Sequence, residues 1–132
     1  MAEKCLSKGR FGEEIASSYL QEKGYKILDR NWRCRKGELD IICTRSGKII
    51  FVEVKTRSAS GMGQAEESLR PSQAGVLLRT ASSYLSCRGW WDRECRFDFI
   101  SVVMGREVDV KHVKNAIEFS FMGRGNAPWQ PW

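Results

Sequence analysis

Residues 37–55 read GELDIICTRSGKIIFVEVK, and the reading of this stretch decides the fold. Leu39 to Cys43 is built around two isoleucines. Ile49 to Lys55 alternates strictly, with Ile50, Val52 and Val54 on one face and Phe51, Glu53 and Lys55 on the other. Such alternation is the mark of a strand. Ser46-Gly47 lies between the two runs, and glycine supplies the positive φ that a two-residue hairpin turn requires. With Ser46 and Gly47 as the loop, Arg45 pairs with Lys48, and counting back places Asp40 opposite Glu53. Directly opposed residues have Cβ atoms about 4.5–5.5 Å apart, where like charges destabilise. Lys55 falls two residues beyond Glu53 on the same face, roughly 6.6 Å further along. One small patch therefore carries an aspartate, a glutamate and a lysine. Paired carboxylates suit Mg²⁺ or Mn²⁺, and a nearby ammonium can orient a water or neutralise charge on a phosphate. The competing reading is a plain surface hairpin whose wet face carries an ordinary Glu-Lys pair.

The bulk composition is compatible with either reading. The chain has 132 residues, enough for one domain with its own core, and 42% of them are hydrophobic. The formal charge of +6 favours a polyanionic partner, nucleic acid being the usual one, although it also serves solubility. Five cysteines at 5, 34, 43, 87 and 95 make no CxxC and no zinc-ligand spacing. An odd count without a secretory signal is expected of free thiols in the cytoplasm. The one histidine, His112, makes His-dependent nucleophilic catalysis a poor fit. No apolar run reaches membrane-spanning length, so no membrane partner is expected.

Before the hairpin, Gly9 to Lys23 reads as a helix with Phe11, Ile15, Ala16, Tyr19 and Leu20 as its apolar face and Gly24 as its C-terminal stop. Gly12, in the middle of that face, predicts close approach to a sheet. Glu14 points to water. Glu13 sits at the border, where it is either a solvated helix acid or reaches over a sheet edge. Tyr25 to Asp29 reads as a short strand. Arg30-Asn31-Trp32-Arg33-Cys34-Arg35-Lys36 follows as a basic turn, with cations suited to phosphates and Trp32 packed inwards. Arg57 extends the Lys55 face.

After the hairpin, Ser58 to Ser72 reads as a loop at the edge of a substrate groove. Ser72 is the expected cap of a helix from Gln73 to Leu85, with Leu77, Leu78, Ala81, Tyr84 and Leu85 inward and Gln73 either exposed or aimed at the site. Ser86 to Cys95 reads as a loop in which Trp90-Trp91 forms either a small satellite of the core, the better fit, or a stacking surface. Arg96 to Met104 is a strand apolar on both faces apart from Asp98 and Ser101, as in a sheet interior. Val108 to Val110 is an edge strand, His112 to Phe119 a short helix or turn, and 119–132 a poorly ordered tail. The expectation is one α/β domain over 1–118, a mixed central sheet flanked by helices.

The motifs GRFGEEIASSYLQEKGYKIL, NWRCRKGELDII, FVEVKTR and RFDFI, in this order, resemble the YraN family of small bacterial endonucleases. That family is similar to archaeal Holliday junction resolvases and falls in the PD-(D/E)XK nuclease superfamily. The resemblance runs to about Ile117. It implies an αβββαβ restriction-endonuclease-like core, with Asp40 and Glu53 as metal ligands, Lys55 as catalytic lysine, and Glu13 near the metal. It further implies hydrolysis of phosphodiesters with Mg²⁺ or Mn²⁺, in DNA more than RNA and in branched or single-stranded regions, by a chain that can dimerise. Arg33, Arg35, Lys36 and Arg57 would hold the backbone. The proline of the superfamily signature is absent, Leu39 preceding Asp40. The family's second helix usually begins with lysine where this chain has Gln73, which leaves a nucleic-acid-binding module with little cleavage as the alternative. A retaining glycosidase and an interaction scaffold are further rivals: the first needs no metal, and the second survives Glu53→Gln unharmed.

Overall fold

The computed structural model describes residues 2–58, 71–90 and 92–117, with side chains from Arg10 and, in the second helix, from Gln73. The elements run α1 (Ala2–Glu22), β1 (Lys26–Cys34), β2 (Gly37–Arg45), β3 (Lys48–Ser58), α2 (Pro71–Arg88), β4 (Cys95–Met104) and β5 (Val108–Val113). This is the expected αβββαβ order with one added strand. The sheet is mixed, in the order β1-β2-β3-β4-β5, with β3 and β4 parallel and the other neighbours antiparallel. A parallel pair needs a crossover, and α2 provides it.

Each face of the sheet carries one helix. Ala16 and Leu20 of α1 pack with Ile41, Ile50, Val52 and Val54. Leu77, Leu78, Ala81, Tyr84 and Leu85 of α2 pack with Ile42, Ile49, Phe51 and Phe97 on the other face. The alternation read from β3 is therefore the division of the core between two helices. At the end of α1, Gly24 has φ 95°; its N–H donates to the Gln21 carbonyl and the Tyr25 N–H to that of Leu20. Left-handed glycine closes the helix in this way.

Several boundaries move. Helix α1 begins at Ala2, and Phe11 is 48% exposed rather than part of the apolar face. The buried stripe centres on Gly12, Ala16 and Leu20, one step round from the expected one. Strand β1 continues into the basic segment as far as Cys34, leaving Arg35-Lys36 as the turn, because Trp32 pairs with Leu39 and packs edge-on against Tyr84 at 5.3 Å between ring centroids. Local propensity marked a turn there, and tertiary packing made it strand. Helix α2 opens on Pro71, so Ser72 lies inside it and is not its cap; proline is well placed in a first helical turn. The helix also takes in Ser86–Arg88, and Trp90 packs on the core as a satellite. His112 lies in β5, paired with Ile100, and not in a helix. The expected groove loop at 59–70, Trp91, and the tail from 118 lie outside the described residues.

Candidate active site

The hairpin has the register its sequence dictates. Ser46 and Gly47 take φ of 54° and 80°, both left-handed as a two-residue turn of this type demands. Arg45 pairs with Lys48, and the ladder continues to Ile41 opposite Val52. One rung further come Asp40 and Glu53, and there the strands part. Strand β2 stays with β1 as far as Gly37, opposite Cys34, while β3 stays with β4 as far as Ser58, opposite Met104. In the fork the Val54 N–H donates to Asp40 Oδ2 at 2.8 Å. A carboxylate thus takes a backbone donor at the point where the strands diverge.

Asp40 and Glu53 lie within hydrogen-bonding reach of each other. Burial and then the charge of Glu53 push Asp40 up to about 7. Burial also raises Glu53, opposed by Lys55, whose Nζ is 3.5 Å from Glu53 Oε2. Buried side by side, the two acids retain a shared proton above the normal carboxylate range. Asp40, Glu53 and Lys55 line a cavity of about 670 Å³.

Glu13 lines the same cavity and is raised first by burial and then by Asp40. It is brought there by Gly12: a Cβ at that position would run into the Thr56 hydroxyl, so only glycine lets α1 settle on β3. Asn31, in a left-handed conformation at φ 52°, gives Glu13 a side-chain hydrogen bond that partly offsets the rise. Of the two readings left open for Glu13, its place in the cavity lining is the reach over the sheet edge and not the solvated helix acid. Glu14 is solvent-facing and pairs with Arg30 at 3.1 Å.

Gln73 lines the cavity from the first turns of α2. The predicted backbone-holding cations stand outside that lining. Arg33 pairs with Glu38 at 3.5 Å, Arg35 and Lys36 are exposed at the β1–β2 turn, and Arg57 is half-buried with no partner for its Nε. Glu38, Val76 and Leu77 line the cavity and were not singled out from the sequence. Glu38 lies two residues before Asp40 in the GELD stretch, so strand alternation, which puts i and i+2 on one face, was the signal that could have found it.

A second polar cluster was also missed. Asp98 is buried, and Arg96 donates to it twice at 2.8 Å. His112 Nε2 lies 2.8 Å from Asp98 Oδ2, while His112 Nδ1 lies 3.1 Å from the Tyr19 hydroxyl. Burial pushes Asp98 up, but the bonds from His112 and Arg96 outweigh it and hold the carboxyl below its ordinary value. This network ties α1, β4 and β5 together. Its one sequence signal was an aspartate in an otherwise apolar strand.

The donor set at Asp40 and Glu53 suits a hard divalent cation, which is commonly held by one or two carboxylates with waters and phosphate oxygens completing the shell. Among the described residues, no three His, Cys, Asp or Glu side chains converge as a complete cage.

The family model described as Uncharacterised protein family UPF0102 matches residues 12–102. The chain belongs to this family. UPF0102 is the YraN family that the sequence motifs resembled. The UPF0102 protein of Nitratidesulfovibrio vulgaris strain DP4 is 40% identical over 134 residues, covering all of both chains. That of Lawsonia intracellularis is 38% identical, covering 98% of this chain and 99% of its own. The UPF0102 protein of Persephonella marina is 40% identical over 86% of this chain and 96% of its own. Among solved structures, Pyrococcus furiosus SfsA in complex with Ca²⁺ is similar over 84% of this chain and 64% of that one, at 15% identity and a TM-score of 0.38. The family match includes Glu13, Asp40, Glu53, Lys55, Gln73 and Asp98. Among the described residues, no helix of this UPF0102 chain is long and apolar enough to cross a membrane.

Proposed function

We propose that this UPF0102 chain is a Mg²⁺- or Mn²⁺-dependent endonuclease that hydrolyses phosphodiester bonds in DNA of branched or single-stranded character. One observation carries the reading: Asp40 and Glu53 are held in hydrogen-bonding contact, raised by burial, with Lys55 Nζ 3.5 Å from Glu53. In a metal-free protein this arrangement opposes stability, because two buried carboxyls either repel or retain a proton. A divalent cation relieves that cost. Asp40 and Glu53 would hold the ion, which supplies polarisation of the phosphate and a more acidic water.

The protein's own groups do the rest. The Val54 N–H fixes the orientation of the Asp40 carboxyl. Lys55, its side chain 41% exposed and its ammonium paired with Glu53, is placed to position a water or meet charge developing on the phosphate. Glu13 faces the pair from α1 and can hold a further water. Ion binding expels the shared proton, so occupancy rises with pH. The contact between the carboxyls also argues against a retaining glycosidase, whose acids stand about 5–5.5 Å apart with the sugar between them. Gln73, where the family's second helix usually begins with lysine, is what favours the second reading, a binding module with little cleavage.

Incubation of flap, junction, single-stranded and duplex DNA with Mg²⁺ or Mn²⁺ separates the two. Cleavage is expected to need the ion, to be abolished by Asp40→Asn and to be strongly slowed by Lys55→Gln. Tight binding with no ion-dependent cleavage of any substrate would leave the binding module.

A further inference from the structure

The acid pair occupies only one side of the cavity. Its opposite wall is α2, which presents Val76 and Leu77 beside Gln73. Val76 is 38% exposed, an uncommon state for a valine on a helix that otherwise buries its apolar face. The wall is also fixed in place. A Cβ at Gly37 would approach Thr80 Oγ1 to 2.6 Å and Val76 Cγ1 to 3.1 Å, so the glycine that opens β2 lets α2 close onto the strand that carries Asp40. The cavity's 670 Å³ lies within the usual 300–1,000 Å³ of sites that enclose a small organic molecule. A site for a phosphate and its waters alone has no use for an aliphatic wall.

We infer that this cavity takes one unpaired nucleotide of the substrate, its base laid against Val76 and Leu77 and its phosphate towards Asp40, Glu53 and Lys55. The inference rests on the nuclease reading and names the substrate feature that reading leaves open. Enzymes that draw a nucleotide out of the stack hold its base against apolar side chains and read its edge with hydrogen-bonding groups. Gln73, which offers both a donor and an acceptor from one amide, is the group placed to do so. A base still paired in a duplex has its face covered by its neighbours and cannot lie on this wall. Cleavage therefore concentrates where a base is already unpaired.

The test compares two DNA duplexes that differ in one group. Both carry a single-nucleotide bulge, one with 2-aminopurine as the bulged base and the other abasic, so backbone shape and charge match. Binding is measured with the full-length Lys55→Gln protein in Mg²⁺, alone and combined with Val76→Asn or Val76→Leu. The base-bearing bulge should bind about threefold more tightly than the abasic one, less than a base gains on an aromatic side chain. The 2-aminopurine emission should change on binding. Val76→Asn should remove the preference and Val76→Leu should retain it. Equal affinity for the two bulges, or a preference that Val76→Asn leaves intact, overturns the inference. If wild-type protein still cuts DNA in an ion-dependent way, only the nucleotide pocket falls. If it neither binds nor cuts any polynucleotide, the nuclease reading falls with it.

Discussion

Removing a charge from the acid pair should make the metal-free protein more stable. The carboxyl of Asp40 moves from an ordinary value of 3.8 to about 7 in the folded chain. A raised value means that folding favours the protonated acid. Its contribution is fully present below pH 4 and is lost as pH rises through about 7. Roughly three pKa units at 1.36 kcal/mol each correspond to about 4 kcal/mol of lost stability at pH 8. Asp40→Asn is neutral at every pH, and its amide oxygen can still accept the Val54 N–H. Exchanging a charged for a neutral acceptor costs about 1 kcal/mol, which leaves a net gain of about 3 kcal/mol. At roughly 4 °C per kcal/mol for a domain of this size, the midpoint should rise by about 12 °C. The assay is thermal and urea unfolding followed by circular dichroism in EDTA, at pH 5 and pH 8. The variant's advantage should be large at pH 8 and small at pH 5, where wild-type Asp40 already holds its proton. Millimolar Mg²⁺ should then stabilise wild type more than the variant. An Asp40→Asn protein that is no more stable than wild type in EDTA at pH 8 would refute the claim that the two acids are forced together.

Lys55→Gln should slow DNA cleavage by about 10²–10³-fold, the usual cost of losing one group that stabilises developing charge. Because Lys55 holds Glu53 down, the same variant should need a higher pH for half-maximal Mn²⁺ binding, read by calorimetry. Gly12→Ala should destabilise the fold by about 1–3 kcal/mol, since its Cβ meets Thr56. It should also weaken Mn²⁺ binding by displacing Glu13, and an unchanged affinity would remove Glu13 from the site. Asp98→Ala leaves the half-buried Arg96 without its carboxylate and should cost about 3–5 kcal/mol in urea unfolding.

The hairpin was legible because its information is local. Ser46-Gly47 admits one tight turn, alternation on β3 admits one register, and together these place Asp40 across from Glu53 before any tertiary contact is known. The end of α1 at Gly24 and the inward face of α2 were legible for the same reason: each depends on residues within one or two turns of each other.

What lay beyond the sequence involves partners distant in the chain. The buried stripe of α1 is set by where Gly12 meets Thr56, and this leaves Phe11 in solvent although its spacing is helical. Strand β1 runs on through Arg30 and Arg33 because Trp32 finds Tyr84, fifty-two positions away. Asp98 and His112 looked like separate oddities, one in an apolar strand and one near the chain's end, until the pairing of β4 with β5 joined them. The sequence by itself determined that two acids would face each other. Only the tertiary structure decided that the strands separate at that rung and that α1 and α2 close over the gap. Strand separation and helix placement follow from burying both faces of the sheet at once, a condition that no local pattern contains.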